Sequence, residues 1–288
     1  MAVDLARTGG EGELRLIECS DNLRFTLNHM TVPQRCWREL LRIAVDTGCS
    51  GIELRNDLPE PLFGGDTPEE VASVCADAGL AIPAVAEVPG FNDGTSAVLE
   101  QVATLAAQAR RAGAEAVVLI PRMGGAPVPF ENLCAALDKI GVCLANEGVK
   151  GMVEPLGFAA STLRFFDVAR AAIRETHGPE RFGIVHDTFH HHLAGAEALS
   201  AEMVGMVHIS GVTTRTSADH MRDADRGLVD SQDRLGNIEQ IEALTRDGYA
   251  GPVSMEAFAP DVHGLQEPEV ALRASFDFIH TSLKAHAA

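Results

Sequence analysis

The chain lacks several features that would place it in a broad class at once. It has no apolar run of the roughly 20 residues that a membrane-crossing helix needs. Its first ten residues, from Met1 to Gly10, contain no apolar signal-peptide core. A soluble cytoplasmic protein is expected. Basic charge is scarce: Lys and Arg number 23 against 41 Asp and Glu, a formal net charge of −18. Such a surface repels phosphate backbones and no local basic patch offsets it, so nucleic acid is not an expected partner. The six cysteines, Cys19, Cys36, Cys49, Cys75, Cys134 and Cys143, form no Cys-x-x-Cys pair. Most fall in apolar or helical stretches, so buried free thiols are expected rather than a disulfide framework or a zinc knuckle. The chain also lacks an early Gly-x-Gly-x-x-Gly loop and a His-Glu-x-x-His protease motif. The first of these absences argues against a doubly wound sheet.

What is present is a strict alternation. The 288 residues, 46% of them hydrophobic, suffice for a large core. Short β-rich runs alternate with amphipathic segments eight times. The predicted strands are Phe25–Asn28, Gly51–Arg55, Ile82–Glu87, Ala116–Ile120, Gly151–Glu154, Phe182–Asp187, Met206–Ile209 and Val253–Ala257. Each has few charges before its C-terminal end, as strands buried on both faces should. Helices are predicted at Pro33–Thr47, Pro68–Ala78, Ala97–Ala112 and Phe130–Asn146, among others. Capping residues precede several of them and glycines end several. Eight βα units with no break in composition predict one (β/α)8 TIM barrel over residues 22–288. Residues 1–21 read as an N-terminal arm. The charged stretch at about 211–237 follows the seventh strand and is expected to lie over the barrel mouth as a lid.

Four of the strands end on residues that bind metals. Glu154, Asp187, His208 and Glu256 close, or closely follow, predicted strands five to eight. Those strands are consecutive neighbours around a barrel, and barrel active sites lie at the C-terminal strand ends. The four side chains are therefore expected to converge on one divalent ion. Three carboxylates and one imidazole suit Mn²⁺ first, with Mg²⁺, Co²⁺ and Zn²⁺ as alternatives. His190, three residues after Asp187, is placed to hydrogen-bond a substrate oxygen. His186, His191 and His192 are expected to be supporting or surface residues. On strand two, Glu53 and Arg55 flank Leu54; one of them could face the mouth, but a structural ion pair is the preferred reading.

Taken together, these residues resemble the xylose-isomerase-like barrel superfamily of sugar-phosphate isomerases and epimerases. The resemblance rests on Gly51 to Arg55, Val153-Glu154-Pro155, His186 to His190, Val207-His208-Ile209 and Ser254-Met255-Glu256. It covers nearly the whole chain after residue 22, and its nearest branch is the inosose (2-keto-myo-inositol) isomerases. It implies Glu154, Asp187, His208 and Glu256 as metal ligands, Glu154 and Glu256 as an acid/base pair, and His190 as a substrate contact. A substrate-contacting arginine follows the histidine ligand in many members. Here Arg215 falls one place later than that spacing, which leaves Arg215, Arg226 and Arg234 as candidates.

The implied activity is a metal-dependent isomerase that moves a ketone along a polyol or sugar ring through an enediolate, acting on inosose. The same two carboxylates serve a ketose 3-epimerase or an inosose dehydratase equally well. Two other classes compete. An endonuclease IV-like phosphodiesterase shares the barrel but needs more histidine ligands and a basic face. A non-catalytic sugar-binding barrel would tolerate Glu154→Gln. The expected partner is a small polyol or ketose, and the apolar helix faces permit a homo-oligomer.

Overall fold

The protein, seen here in a computed structural model, is described at residues 23–195 and 198–287. The predicted 1–21 arm, with Cys19, lies outside these residues. Eight strands run as β1 (Arg24–Asn28), β2 (Gly51–Arg55), β3 (Val85–Pro89), β4 (Ala116–Ile120), β5 (Lys150–Val153), β6 (Phe182–Asp187), β7 (Val204–Ile209) and β8 (Pro252–Met255). Each pairs in parallel with the next, and β8 closes the ring on β1. Parallel strands need crossovers, and helices on the outside supply them. They are α1 (Trp37–Asp46), α2 (Pro68–Asp77), α3 (Ser96–Arg111), α4 (Phe130–Glu147), α5 (Phe166–Glu175), α6 (Thr188–Ala194), α7 (Asn237–Arg246), α8 (Pro260–His263) and α9 (Pro268–Ala287). The predicted (β/α)8 barrel is the fold. No helix among the described residues is long and apolar enough to cross a membrane.

Local chemistry sets the element ends. Thr67 caps α2 by accepting from the Glu70 amide, and the Glu70 carboxylate accepts from the Thr67 amide in return. Helix α1 begins at Trp37 rather than Pro33, because the Arg35 amide closes a turn on the Val32 carbonyl first. Strand β3 begins at Val85 rather than Ile82; Pro83 has no N–H to give to a ladder. Strands β5 and β8 stop one residue before the glutamates that follow them. The Glu154 amide still donates to Leu119 O at 3.1 Å and the Glu256 amide to Ile209 O at 2.9 Å. Both glutamates therefore keep strand direction.

The apolar core has two parts. The larger lies between barrel and helices and includes Leu27, Leu40, Ile52, Leu54, Leu119 and Ile140. The smaller fills one side of the barrel interior with Ala84, Ala86, Ala116, Val118, Met152, Val185 and Met206. Met152 fits there because β6 and β7 carry Gly183 and Gly205 beside it. A Cβ at either would sit 2.6–2.7 Å from its sulfur. Burying a methionine side chain contributes about 1.5–3 kcal/mol. The rest of the interior is polar, with Thr26, Glu53, His208 and Ser254 all buried. Cys49 and Cys75 are buried free thiols as expected, while Cys36, Cys134 and Cys143 are only partly covered.

The stretch after β7 is an ordered strap. Gly211 and Gly227 exchange two backbone hydrogen bonds, at 2.8 and 2.7 Å. Gly211 is required by close approach, since a Cβ there would lie 2.3 Å from the Leu228 carbonyl oxygen. Two short 3-10 turns, Ala218–His220 and Asp223–Asp225, shape the strap between these glycines. Met221, Val229 and Leu235 are buried and anchor it. The strap delivers Arg226 to the barrel mouth.

Candidate metal centre

Glu154, Asp187, His208 and Glu256 meet at the C-terminal end of the barrel. One ligand atom from each lies within 4.8 Å of the others, and all four residues are at most 4% exposed. Strand register explains the convergence. Asp187 pairs with His208, and His208 with Ser254, two residues before Glu256. The His208 ring turns Nδ1 toward the carboxylates, 3.5 Å from Glu154 Oε1 and 3.3 Å from Glu256 Oε2. That nitrogen is buried and makes no hydrogen bond. On the other side of the ring, Nε2 lies 3.1 Å from Glu53 Oε2.

Two buried guanidiniums brace the cluster. Arg226 Nη2 donates to Asp187 Oδ2 at 2.6 Å and to Glu256 Oε2 at 2.8 Å. Its Nε donates to Ser210 Oγ, and its head lies over the rings of Phe258 and Phe189. Arg55 Nη1 donates to Glu256 Oε1 at 2.7 Å, and Arg55 also pairs with Asp57 and Glu87. Asn28 Nδ2 adds a third donor to Glu256, at 3.2 Å. Asp187 caps α6 through its other oxygen, accepting from the His190 amide at 3.0 Å.

Charge decides what the cluster can hold. Glu53, Glu154, Asp187 and Glu256 bring four buried negative charges, and Arg55 and Arg226 bring two positive ones. Arg55 is shared with Asp57 and Glu87, so with His208 neutral the carboxylates outnumber the guanidiniums and favour a cation. The unpartnered His208 nitrogen and the oxygen-rich donor set fit such an ion.

The acidities report the same imbalance. Burial pushes the Glu154 carboxyl up to about 7, against the pull of His208. Burial also works against the other two carboxylates, but Arg226 holds Asp187 below the usual Asp value. His208, Arg226 and Arg55 hold Glu256 well below the usual Glu value. Burial favours a neutral His208 ring, yet Glu53, Glu256 and Glu154 raise it well above the usual imidazole value.

The remaining predicted residues divide. His190 is buried within the mouth, and its Nδ1 has no partner among the described residues. Of the three candidate arginines only Arg226 reaches the cluster. Arg215 is exposed, and Arg234 is exposed and ties the strap through the Thr214 and Thr216 carbonyls. His186 points outward and bonds Gln240 Oε1 at 2.9 Å. Burial, with His191 beside it, drops its pKa to about 4. Among the described residues His208 is the one histidine in the ligand group, so the extra ligands of an endonuclease IV-like site are not assembled.

Glu53 and Arg55 do not form the ion pair expected of them. Two apart on a strand, they share the inward face and reach different partners, His208 and Glu256. Asn28 was overlooked altogether. Its signal was the same as for the four candidate ligands: a polar residue ending an apolar strand.

Comparison with known proteins agrees with this geometry. The family model for xylose isomerase-like TIM barrels matches residues 41–281. An inosose isomerase from Halalkalibacterium halodurans is 28% identical over 129 residues, 42% of this chain and 44% of that enzyme. The chain thus matches under half the length of that curated relative. A xylose isomerase domain containing protein from Salmonella typhimurium LT2 superposes with a TM-score of 0.85 at 29% identity, covering 91% of this chain and 98% of the other. The IolI protein, solved with a zinc atom, superposes with a TM-score of 0.81 at 18% identity, covering 92% and 99%. With its eight-stranded ring and a family match over most of its length, the chain belongs to the xylose isomerase-like TIM barrel family.

Proposed function

We propose that the protein is an enzyme of the sugar isomerase and epimerase kind. Its proposed reaction moves a ketone along a polyol ring through an enediolate, with 2-keto-myo-inositol as substrate. The observation that carries this proposal is the meeting of Glu154 and Glu256 beside His208 in a buried cluster at the barrel mouth. The partial match to an inosose isomerase supports the choice of substrate.

The chain's own groups divide the work. Glu154, with few hydrogen bonds and a pKa near 7, is suited to take the proton from the carbon beside the ketone. Glu256 is held as an anion by Arg55, Asn28 and Arg226, and stands ready on the other side to manage the second proton transfer. The Arg226 guanidinium offers positive charge where the enediolate develops. The free Nδ1 of His190 takes a substrate hydroxyl. A bound divalent cation, Mn²⁺ in our proposal, supplies Lewis-acid polarisation of the ketone.

Incubation of Mn²⁺-loaded protein with 2-keto-myo-inositol in D₂O tests the proposal. Solvent deuterium is expected at the carbon next to the ketone, together with a shifted ketone. Absence of both exchange and product would rule out the inosose reaction.

A further inference from the structure

One layer below the ligands the barrel interior holds oxygens that the fold leaves without partners. Thr26 and Ser254 lie two residues before Asn28 and Glu256 on the same strands, so they face inward one layer deeper. They are register partners of each other, and Ser254 is also the register partner of His208. Glu53, the register partner of Asn28 on β2, reaches His208 Nε2 at 3.1 Å. Thr26 Oγ1, Ser254 Oγ and Glu53 Oε1 are all buried, and none has a hydrogen-bond partner among the described residues. A carboxylate fully removed from solvent with one oxygen unbonded carries a large desolvation cost. Two hydroxyls and a carboxylate oxygen, buried on the neighbouring strands β8, β1 and β2, match in number the two to four polar partners that hold a buried water.

We infer that Glu53, together with water bound among Glu53, Thr26 and Ser254, makes His208 a metal ligand. Glu53 Oε2 accepts the hydrogen bond from His208 Nε2–H, which fixes the ring and leaves the Nδ1 lone pair facing Glu154, Asp187 and Glu256. The water donates to Glu53 Oε1 and accepts from the two hydroxyls, which gives each of these buried oxygens a partner. Glu53 is thus a positioning residue that acts on the cation only through the imidazole. The inference rests on the metal-centre proposal above.

Zn²⁺ affinity, read by competition with a chromophoric chelator, tests it on the full chain. Asp187→Asn is the control for the centre itself and is expected to lose zinc. Glu53→Gln keeps the volume and removes the charge, and is expected to weaken zinc about 10- to 100-fold with an unchanged far-UV spectrum. Wild-type affinity in Glu53→Gln alongside a failed Asp187→Asn overturns the inference and leaves the centre standing. Wild-type affinity in both overturns the centre as well. A crystal structure of the zinc-loaded wild type is the second measurement and needs no variant. Nδ1 on the zinc, with water among Glu53, Thr26 and Ser254, is the expected result. Nε2 on the zinc, or a dry layer below it, overturns the inference.

Discussion

Arg226 offers the sharpest test of how charge is balanced in the mouth. Its backbone carbonyl accepts from the Phe258 and Ala259 amides, so the residue cannot swing away. Its guanidinium is 1% exposed and serves Asp187 and Glu256 together. Arg226→Met keeps most of the volume, strips Asp187 of its guanidinium and leaves Glu256 with Arg55 alone. Breaking a buried pair in this way costs about 3–5 kcal/mol. At about 2 °C per kcal/mol for a chain of this size, the melting temperature in chelator is expected to fall by roughly 6–10 °C. A divalent cation restores positive charge to the same two carboxylates. The deficit is therefore expected to shrink by half or more when Mn²⁺ is saturating. Scanning fluorimetry of wild type and variant, each with chelator and with Mn²⁺, reads all four values. An equal loss under both conditions, or a loss below about 2 °C in chelator, would refute the reasoning.

Two further outcomes follow from the same structure. Metal affinity is expected to rise with pH. Glu154, raised to about 7 by burial, and His208, raised despite burial by its three carboxylate neighbours, both hold protons that a cation must displace. Because both values are raised, the competing protonated forms dominate at low pH, and affinity falls as pH drops, about tenfold per unit for each proton released. Calorimetry in buffers of different ionisation enthalpy counts those protons, and no release at pH 6 would contradict it. Gly157→Ala probes the support of His190. A Cβ there would lie 2.0 Å from the His190 carbonyl oxygen and 2.7 Å from Leu193 Cβ, so α6 must shift. Destabilisation of about 1–3 kcal/mol is expected in urea unfolding, and an unchanged midpoint would show that no such contact exists.

The fold was legible because period and punctuation agree along the whole chain. Apolar runs such as Phe182 to Asp187 are buried at every position, and a parallel ring is what buries both faces of such strands. The boundary errors came from local rules weaker than the pattern. Pro83 delayed β3, and the turn at Arg35 delayed α1.

The four ligand candidates were legible for a related reason. A charged residue that ends a buried strand has few places to go except the barrel mouth. From sequence alone, then, came the ring, its direction and the identity of Glu154, Asp187, His208 and Glu256 as a group. Their support was decided only in three dimensions. Glu53 reaches His208 across 155 positions, Arg55 reaches Glu256 across 201, and Asn28 reaches it across 228. No local spacing encodes such contacts. They exist because the closure of β8 on β1 brings the two ends of the chain side by side. The choice among Arg215, Arg226 and Arg234 was likewise tertiary. It turned on which residue the Gly211–Gly227 strap delivers to Asp187 and Glu256.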